Sequence, residues 1–209
     1  MEKFKSFIKN NLRWILLLIS VIIVVEIIEA LLENDITNFD NEIYTFISSF
    51  ISPEITTFAK IITTIGSAYV IIPVCIILII IFRKSIEKIL IPLNLVITFA
   101  ANQLLKRIIA RPRPNLYRLV EETGFSFPSG HSMISMAFYG FIIYLIYRKV
   151  KNPYIKWTLC ITLSILIVLI GITRIYLGVH YASDVIAGFF ISIAYLTLFT
   201  NVIKNKIKE

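Results

Sequence analysis

Residues 66–82 read GSAYVIIPVCIILIIIF, seventeen consecutive positions without a charged side chain. A helix needs about 20 apolar residues to cross the hydrocarbon core of a bilayer, with a range of roughly 17 to 25, so this stretch is long enough for a membrane span. Five further apolar runs lie near residues 13–32, 88–105, 131–147, 157–174 and 182–203. The pattern predicts an all-α integral membrane protein built as a bundle of six transmembrane helices.

The composition of the whole chain agrees with this prediction. Of the 209 residues, 57% are hydrophobic and 16% are charged, and the mean hydropathy is +0.83. Soluble globular proteins have roughly 45 to 50% apolar and about 25% charged residues, so the composition excludes a disordered chain and argues against a soluble one. The length predicts a single domain, residues 1–209. The N-terminus resembles a signal peptide but lacks a small-x-small cleavage pattern, so we expect an uncleaved first helix.

The basic residues predict the orientation of the chain in the membrane. There are 21 Lys and Arg against 13 Asp and Glu, an excess that is also found in nucleic-acid-binding proteins. Most of the basic residues, however, lie before the first apolar run, after the last, or in the two connections on the same side: Lys3, Lys5, Lys9, Arg13, Arg83, Lys84, Lys88, Arg148, Lys149, Lys151, Lys156, Lys204, Lys206 and Lys208. The positive-inside rule makes this side and both termini cytoplasmic. We therefore expect a multi-pass protein of the plasma membrane and no nucleic-acid partner.

The first outer connection contains two amphipathic segments. From Phe39 to Ile51, apolar residues follow helical spacing and polar residues, including Asp40, lie on the opposite face. Ser52-Pro53 then has the pattern of a helix start, with an N-cap followed by proline at the first helical position. We predict a short interfacial helical hairpin between the first two spans, within residues 39–65. Two roles stay open for it: packing on the bundle, or acting as a lid or lipid access gate.

Three groups of polar residues lie at the outer ends of the last four spans. In the first, Lys106 and Arg113 are seven residues apart, which is two helical turns, so the cations can face the same way although a proline must end or kink the helix between them. In the second, Ser129-Gly130-His131 precedes the fourth run, and its backbone N–H groups would point outward as an anion nest at a helix start. Taken alone, the first group also fits snorkelling anchors, and the second an N-cap followed by an interfacial histidine.

The third group spans residues 173–184. His180 and Asp184 are four apart, on one face of the helix that opens the sixth span, so Asp184 can hold the imidazole and fix its tautomer. An aspartate at the start of a span is costly unless it has a partner or a water-filled pocket. A structural hydrogen bond is the alternative interpretation of this pair. Arg174 adds a further cation on the same side of the membrane.

Together the three groups describe a phosphate site with a nucleophile and an acid. Three basic side chains and backbone amides can neutralise the oxygens of a transferring phosphoryl group. His180 can attack as a neutral imidazole, and His131 can protonate the leaving oxygen. Glu121 and Glu122 are adjacent and would point apart, so this face has no carboxylate cluster for Mg²⁺ or Ca²⁺. We therefore expect no metal and no other cofactor.

The order Lys-x6-Arg-Pro, Pro-Ser-Gly-His and (Ser/Thr)-Arg-x5-His-x3-Asp, here between residues 106 and 184, resembles the type 2 phosphatidic acid phosphatase (PAP2) superfamily. The resemblance implies six membrane helices and a metal-free phosphohistidine mechanism. It assigns phosphate binding to Lys106, Arg113, Ser129, Gly130 and Arg174. It assigns the roles of nucleophile, partner of the nucleophile and acid to His180, Asp184 and His131. Thr173 stands where the family usually has serine, but the hydroxyl is kept. Residues 125–131 are most similar to the bacterial phosphatidylglycerophosphate phosphatases of this family.

We therefore predict a membrane lipid phosphatase that acts on phosphatidylglycerophosphate, phosphatidate or a related lipid phosphate or pyrophosphate at the extracytoplasmic face. An undecaprenyl diphosphate phosphatase could use the same site. A non-catalytic lipid transporter or scaffold, in contrast, would use the outer basic cluster to hold anionic headgroups. Vanadium haloperoxidases have a similar oxyanion site but resemble larger soluble proteins, and the high apolar content disfavours them.

Overall fold

The computed structural model describes residues 2–115 and 118–207, so Lys208 of the predicted cytoplasmic set lies outside the described residues. The described part of the chain contains eight α-helices and no strand. They are α1 (Glu2–Leu32), α2 (Thr37–Ser48), α3 (Pro53–Ile65), α4 (Ala68–Ile81), α5 (Glu87–Ile109), α6 (Gly130–Lys149), α7 (Pro153–Tyr176) and α8 (Ala182–Ile203). The prediction of an all-α architecture is confirmed.

Five of these helices are long and apolar enough to cross a membrane, namely α1 from Asn11 onward, α5, α6, α7 and α8. The predicted second span is different. Its helix, α4, has 14 residues and is therefore about 21 Å long, less than the hydrocarbon thickness of about 30 Å. α3 and α4 meet at a bend of 41°, and counting this bent pair as one span raises the number to six. The bend lies at Gly66, where an added Cβ would be 2.6 Å from Cγ2 of Ile170, so α7 packs directly against the turn.

The predicted hairpin region forms α2 and α3. Ser52 is the N-cap of α3, its Oγ accepting from the N–H of Ile55 at 3.2 Å, and Pro53 takes the first helical position as predicted. The start of α3 is bonded to the end of α7 by the hydroxyl of Tyr176, which accepts from the N–H of Ser52 at 3.2 Å and lies 2.9 Å from Oγ1 of Thr56. α3 therefore lies beside α7, and α2 packs against both α7 and α8.

α6 is the central helix and packs on α5, α7 and α8. Buried polar groups bond across these contacts: Asn94 of α5 donates to the carbonyl of Ala137 at 2.9 Å, and Ser192 of α8 donates to that of Met133 at 2.7 Å. Such bonds satisfy polar groups that lipid cannot satisfy. They also fix where the N-terminus of α6 lies between its neighbours, which matters for the polar groups gathered there.

Two of the predicted cytoplasmic residues form contacts between helices at the end of the bundle opposite the start of α6. Lys149 lies 2.7 Å from a carboxylate oxygen of Glu87, which connects the end of α6 to the start of α5. Arg13 donates to Oδ1 of Asn201 at 2.6 Å and so connects α1 to the end of α8. These ends are remote from the ends that carry the three polar groups.

Candidate active site

A cavity of about 510 Å³ lies where α5 ends and α6 and α8 begin. It is lined by five of the eight residues that the motifs indicate, namely Lys106, Arg113, Gly130, His131 and His180. The other three, Ser129, Arg174 and Asp184, are buried behind this lining. The structure therefore brings together all three polar groups that the sequence predicts as one site.

Lys106 and Arg113 reach the cavity from different pieces of backbone. α5 ends at Ile109, and Ala110 adopts a left-handed φ of 48° while its N–H bonds back to the carbonyl of Lys106 at 3.0 Å. A residue directly before a proline avoids the helical conformation, so the chain leaves the helix ahead of Pro112. Arg113 therefore lies on an irregular segment beyond the helix. The two cations share the cavity, but not because they lie on one helical face.

The imidazole of His180 is held from both sides. Its Nδ1 lies 3.3 Å from Oδ2 of Asp184, and its Nε2 lies 3.2 Å from Nη1 of Arg113. A guanidinium only donates hydrogen bonds, so Nε2 is the acceptor and the ring proton belongs on Nδ1, facing the carboxylate. This tautomer leaves the lone pair of Nε2 on the side of Arg113, a predicted phosphate-binding cation.

The burial of His180 also sets its charge. Burial lowers the pKa of this imidazole to about 4, although the hydrogen bond and the charge of Asp184 act in the opposite direction. The ring is therefore neutral at pH 7, which is the form that can act as a nucleophile. Burial likewise lowers the pKa of Arg113, but an arginine stays protonated in proteins and keeps its charge.

His180 does not lie on the helix that the spacing predicts. α8 begins at Ala182, and His180 belongs to the turn that follows Gly178, whose φ is 69°. Asp184 is in the first turn of α8, and its Oδ2 also accepts from the N–H of Tyr181 at 2.9 Å. The carboxylate thus folds back over the helix N-terminus, where backbone N–H groups attract it, and this brings it to the imidazole.

The segment 122–125 contacts all three of the predicted phosphate-binding cations. Glu122 forms an ion pair with Arg174, and its other carboxylate oxygen lies 3.7 Å from Arg113. The carbonyls of the next three residues accept hydrogen bonds, two of them from Arg113 and the last, at 2.5 Å, from Lys106. A phosphate that bound to these cations would have to exchange places with some of these oxygens.

The start of α6 docks on the start of α8. Ser129 is the N-cap of α6, and its Oγ accepts from the N–H and the hydroxyl of Ser132 at 3.4 and 3.0 Å. Its own N–H donates to the carbonyl of Asp184 at 3.0 Å, so the prediction that this N–H points outward is wrong. The first N–H groups of a helix have no partner within it, which leaves the amides of Gly130 and His131 for an anion in the cavity that both residues line.

A second buried network lies behind His180 and is centred on Arg111. Its Nη1 bonds to Oδ1 of Asp184 and its Nη2 to Oδ2 of Asp40, both at 2.7 Å. Asp40 of α2 also accepts from the N–H and the hydroxyl of Ser183, at 2.8 and 2.7 Å. The guanidinium lies 3.8 Å from the ring centroid of Tyr181. Burial disfavours the charge of Arg111, but the two carboxylates outweigh it and raise the pKa of the guanidinium.

The sequence pattern of the PAP2 superfamily matches residues 87–208, which is more than half of the chain and includes all three motifs. The chain belongs to the PAP2 superfamily. The resemblance noted in the sequence is therefore confirmed.

Relatives within this superfamily are known from sequence and from structure. Phosphatidylglycerophosphatase B of Bacillus subtilis is 36% identical over 134 residues, covering 61% of this chain and 65% of that protein. The undecaprenyl-diphosphatase of Sulfolobus acidocaldarius is 34% identical over 129 residues, covering 59% of this chain and 58% of that protein. The chain thus spans less than two thirds of the length of these curated relatives. A crystal structure of a transmembrane PAP2 type phosphatidylglycerolphosphate phosphatase from Bacillus subtilis has a TM-score of 0.83 at 29% identity, covering 92% of this chain and 98% of that one.

Three residues of this PAP2 site are not indicated by the motifs: Glu122, Arg111 and Asp40. Asp40 and Arg111 are 71 residues apart, and a carboxylate on the polar face of a helix gives no sign of its partner. The signal that the sequence does offer is the group of basic residues in the predicted outer connections. Such charges need partners at a membrane boundary, and Asp40 and Glu122 are acidic residues of the same predicted connections.

Proposed function

We propose that this PAP2 protein is a membrane lipid phosphatase that removes the terminal phosphate from phosphatidylglycerophosphate, phosphatidate or a related lipid phosphate or pyrophosphate. The observation that carries the proposal is the position of His180. Its neutral imidazole lies between a carboxylate and a cation, in the wall of a cavity that also contains His131 and Lys106. These are the groups that phosphoryl transfer to a histidine requires: an oriented nucleophile, an acid and fixed positive charge.

In the proposed reaction, Nε2 of His180 attacks the phosphorus. A P–N bond forms while the bond between phosphorus and the lipid oxygen breaks, and His131 gives its proton to that oxygen. Water then attacks the phosphohistidine, His131 takes a proton from the water, and phosphate leaves as His180 returns to its neutral form. Asp184 stabilises the positive charge on the imidazole during the attack.

The charge of the phosphoryl group is neutralised by side chains and amides. The groups that bind its oxygens are Lys106, Arg113, Arg174, the amide of Gly130 and the hydroxyl of Ser129. The hydroxyl of Ser129 can serve because its oxygen accepts two hydrogen bonds and its own proton remains to be donated. In the described residues no group of three or more His, Cys, Asp or Glu could hold a metal ion, and the proposed reaction uses none.

The proposed arrangement in the membrane has six crossings in a single domain, residues 1–209. α4 makes the second crossing, and α2 and α3 form the interfacial hairpin that continues it at the outer surface. Both termini are cytoplasmic and the cavity faces the extracytoplasmic side. The contacts of Arg13 and Lys149 at the end of the bundle remote from the cavity support this orientation, because the positive-inside rule puts clustered cations in the cytoplasm. The partners are then the bilayer and its phosphorylated lipids, without nucleic acid or metal.

Polyprenyl diphosphates are the second candidate substrates. The relative from Sulfolobus acidocaldarius is an undecaprenyl-diphosphatase, and the terminal phosphoryl group of such a lipid poses the same demands on the site. In that case the leaving group is a lipid phosphate instead of an alcohol. A non-catalytic transporter or scaffold that held anionic headgroups would use the same cations but would release no phosphate.

The test is phosphate release by the protein purified in detergent, from phosphatidylglycerophosphate, phosphatidate and undecaprenyl diphosphate side by side. We expect release that survives EDTA and is inhibited by vanadate, a mimic of five-coordinate phosphorus. The same preparation of His180→Ala is the control for contaminating phosphatases. No release above this control from any lipid would support the non-catalytic alternative, and activity lost in EDTA but restored by Mg²⁺ would refute the metal-free reaction.

A further inference from the structure

The carboxylate of Asp184 is held by more than the imidazole that it orients. Its Oδ2 contacts Nδ1 of His180 at 3.3 Å and accepts from the N–H of Tyr181 at 2.9 Å. Its Oδ1 accepts from Nη1 of Arg111 at 2.7 Å. With both oxygens engaged, the plane of the carboxylate is fixed, and so is the direction from which the imidazole is held. Of the three groups that contact the carboxylate of Asp184, Arg111 is the one that carries a positive charge.

Arg111 is in turn held in place by Asp40. The side chain of Asp40 is buried, with 2% exposure, and accepts from Nη2 of Arg111 at 2.7 Å. It also accepts from the N–H and the hydroxyl of Ser183, the residue directly before Asp184. Asp40 therefore forms hydrogen bonds both to the guanidinium of Arg111 and to the first turn of α8. A guanidinium is a rigid planar fork that can bridge two carboxylates at fixed geometry, which an ammonium group cannot do.

The charge of Arg111 has a different use from that of the phosphate-binding cations. Arg111 and Asp40 do not line the cavity that contains Lys106, Arg113 and His180. Two carboxylates neutralise Arg111, each at 2.7 Å, so little of its charge remains to attract a phosphate. Its effect on a reaction in the cavity has to pass through Asp184.

We propose that Arg111 and Asp40 are positioning residues that fix the orientation of Asp184 and, through it, the tautomer and direction of the His180 imidazole. This inference rests on the proposed phosphatase function, because it concerns the aim of the nucleophile. It gives the outer hairpin a part in the reaction, since Asp40 belongs to α2. The chain of contacts runs from Asp40 on α2 through Arg111 to Asp184 on α8, and it ends at the imidazole of His180.

The kinetic test compares Arg111→Gln and Asp40→Asn with matched controls. Misaligned reacting groups slow the chemical step but leave the phosphate-binding cations in place. We therefore expect kcat to fall by about tenfold to a hundredfold, while KM and the inhibition constant of vanadate stay within about twofold of wild type. The controls are Arg118→Gln, which removes an exposed arginine with local partners from the same connection, and Glu42→Gln, which removes an exposed carboxylate from α2. Both should behave as wild type.

A spectroscopic test does not depend on turnover. The chain has two histidines, so protein labelled with ¹⁵N-histidine gives two pairs of ring-nitrogen signals, and His131→Ala identifies the pair of His180. At pH 7 we expect His180 in the wild type as the tautomer protonated on Nδ1, and a mixture of tautomers in Arg111→Gln. If the wild type had no phosphatase activity but Arg111→Gln still changed the tautomer of His180, the positioning role would be supported and only the proposed function would be refuted.

Three results would overturn the inference. One is a wild-type kcat together with an unchanged His180 spectrum in Arg111→Gln and Asp40→Asn. Another is a parallel loss of kcat and of vanadate affinity, which would indicate general damage to the site. If Arg111→Gln does not fold, Arg111→Lys takes its place, since it keeps the charge but lacks the rigid planar fork that fixes both carboxylates. A wild-type kcat in that variant would also refute the proposal.

Discussion

His180 and His131 line the same cavity, but they have different parts in the proposed reaction. We expect His180→Ala to abolish both turnover and any acid-labile phosphoenzyme, because no group remains to carry the phosphoryl. His131→Ala should slow the hydrolysis of lipid substrates by about 10²- to 10⁴-fold, the range typical of a lost general acid, and recover markedly with p-nitrophenyl phosphate, whose leaving group needs little protonation. The activity of Asp184→Asn on lipid substrates should lie between the activities of His180→Ala and His131→Ala.

The measurement is a rapid quench of each variant with ³²P-labelled substrate. Wild type should show labelled phosphohistidine during turnover. Labelled phosphohistidine in His180→Ala, or its absence from wild type while phosphate is being released, would show that another group is the nucleophile.

The buried imidazole of His180 also predicts how stability depends on pH. Its pKa is about 4 in the folded protein and about 6.5 in an unfolded chain, so the unfolded state binds more protons between these values. Stability is therefore lost as the pH falls from about 6.5 towards 4. Thermal unfolding in detergent at pH 7 and pH 4.5 measures the effect. His180→Gln should lose less stability than wild type over this interval; an equal loss would contradict the assignment to His180.

The carboxylate of Glu122 interacts with two of the cations that the proposed reaction needs, so replacing it with a neutral side chain should strengthen phosphate binding. In Glu122→Gln we expect the inhibition constant of orthophosphate to fall several-fold, because Arg174 and Arg113 no longer have to exchange a charged partner. Glu121→Gln is the matched control, since the neighbouring carboxylate is exposed. Weaker inhibition by orthophosphate in Glu122→Gln would mean that Glu122 orients the arginines instead of competing for them.

At the scale of helices, the site depends on how closely α8 approaches α6. An added Cβ at Gly188 would lie 3.0 Å from the carbonyl oxygen of Ser129 and 3.2 Å from Cβ of Ser132. Gly188→Ala should therefore push the N-terminus of α6 away, with a loss of about 1 to 3 kcal/mol of stability and a fall in kcat/KM. Gly140→Ala is the control, because its Cβ would meet the flexible end of Leu196 in the same helix pair away from the cavity.

Thermal unfolding and lipid phosphate release together check this prediction. A fall of kcat/KM in Gly188→Ala but not in Gly140→Ala is expected, even where both variants lose stability. Equal activity in the two would show that the spacing of α6 and α8 at this point does not control the site.

The helices themselves are the part of the fold that the sequence predicts best. A bilayer imposes a simple rule of length and apolarity, and the positions of α5 to α8 follow from it. The N-cap at Ser52 can also be predicted from the sequence, because capping depends on residues next to each other in the chain. The bend at Gly66 cannot be predicted in this way, since it depends on the approach of Ile170 from another helix.

Within the candidate site, the motifs predict residues that the structure brings together, but they do not predict all of the geometry. The meeting of His180 and Asp184 is predicted, yet the start of α8 at Ala182 places His180 in a turn, because the carboxylate caps the helix instead of extending its face. The N–H of Ser129 donates to the carbonyl of Asp184 and so joins the starts of α6 and α8, a contact that the local pattern of a helix start cannot show. The ion pair of Arg111 with Asp40 joins distant segments and has no periodicity to reveal it.

For the whole molecule, the orientation in the membrane is the main prediction. With clustered cations at one end of the bundle and the cavity at the other, reporters fused after residue 86 or 152 should score cytoplasmic, and those near residue 120 or 178 extracytoplasmic. Enzymatic reporters active on one side of the membrane measure this directly. The reverse pattern would mean that substrate reaches the site from the cytoplasmic leaflet.

The short helix α4 has a consequence for the lipids around the protein. Its 14 residues are about 9 Å shorter than an average hydrocarbon core, and the cavity wall at residues 66–68 lies at its outer end. Local thinning of the bilayer is one way in which such a hydrophobic mismatch is relieved. In the proposed arrangement, thinning beside α4 would lower the outer lipid surface towards the cavity mouth, so that a phosphorylated headgroup would reach the cations without leaving its leaflet. Activity in vesicles should therefore depend on acyl-chain length and decline as the host bilayer is made thicker.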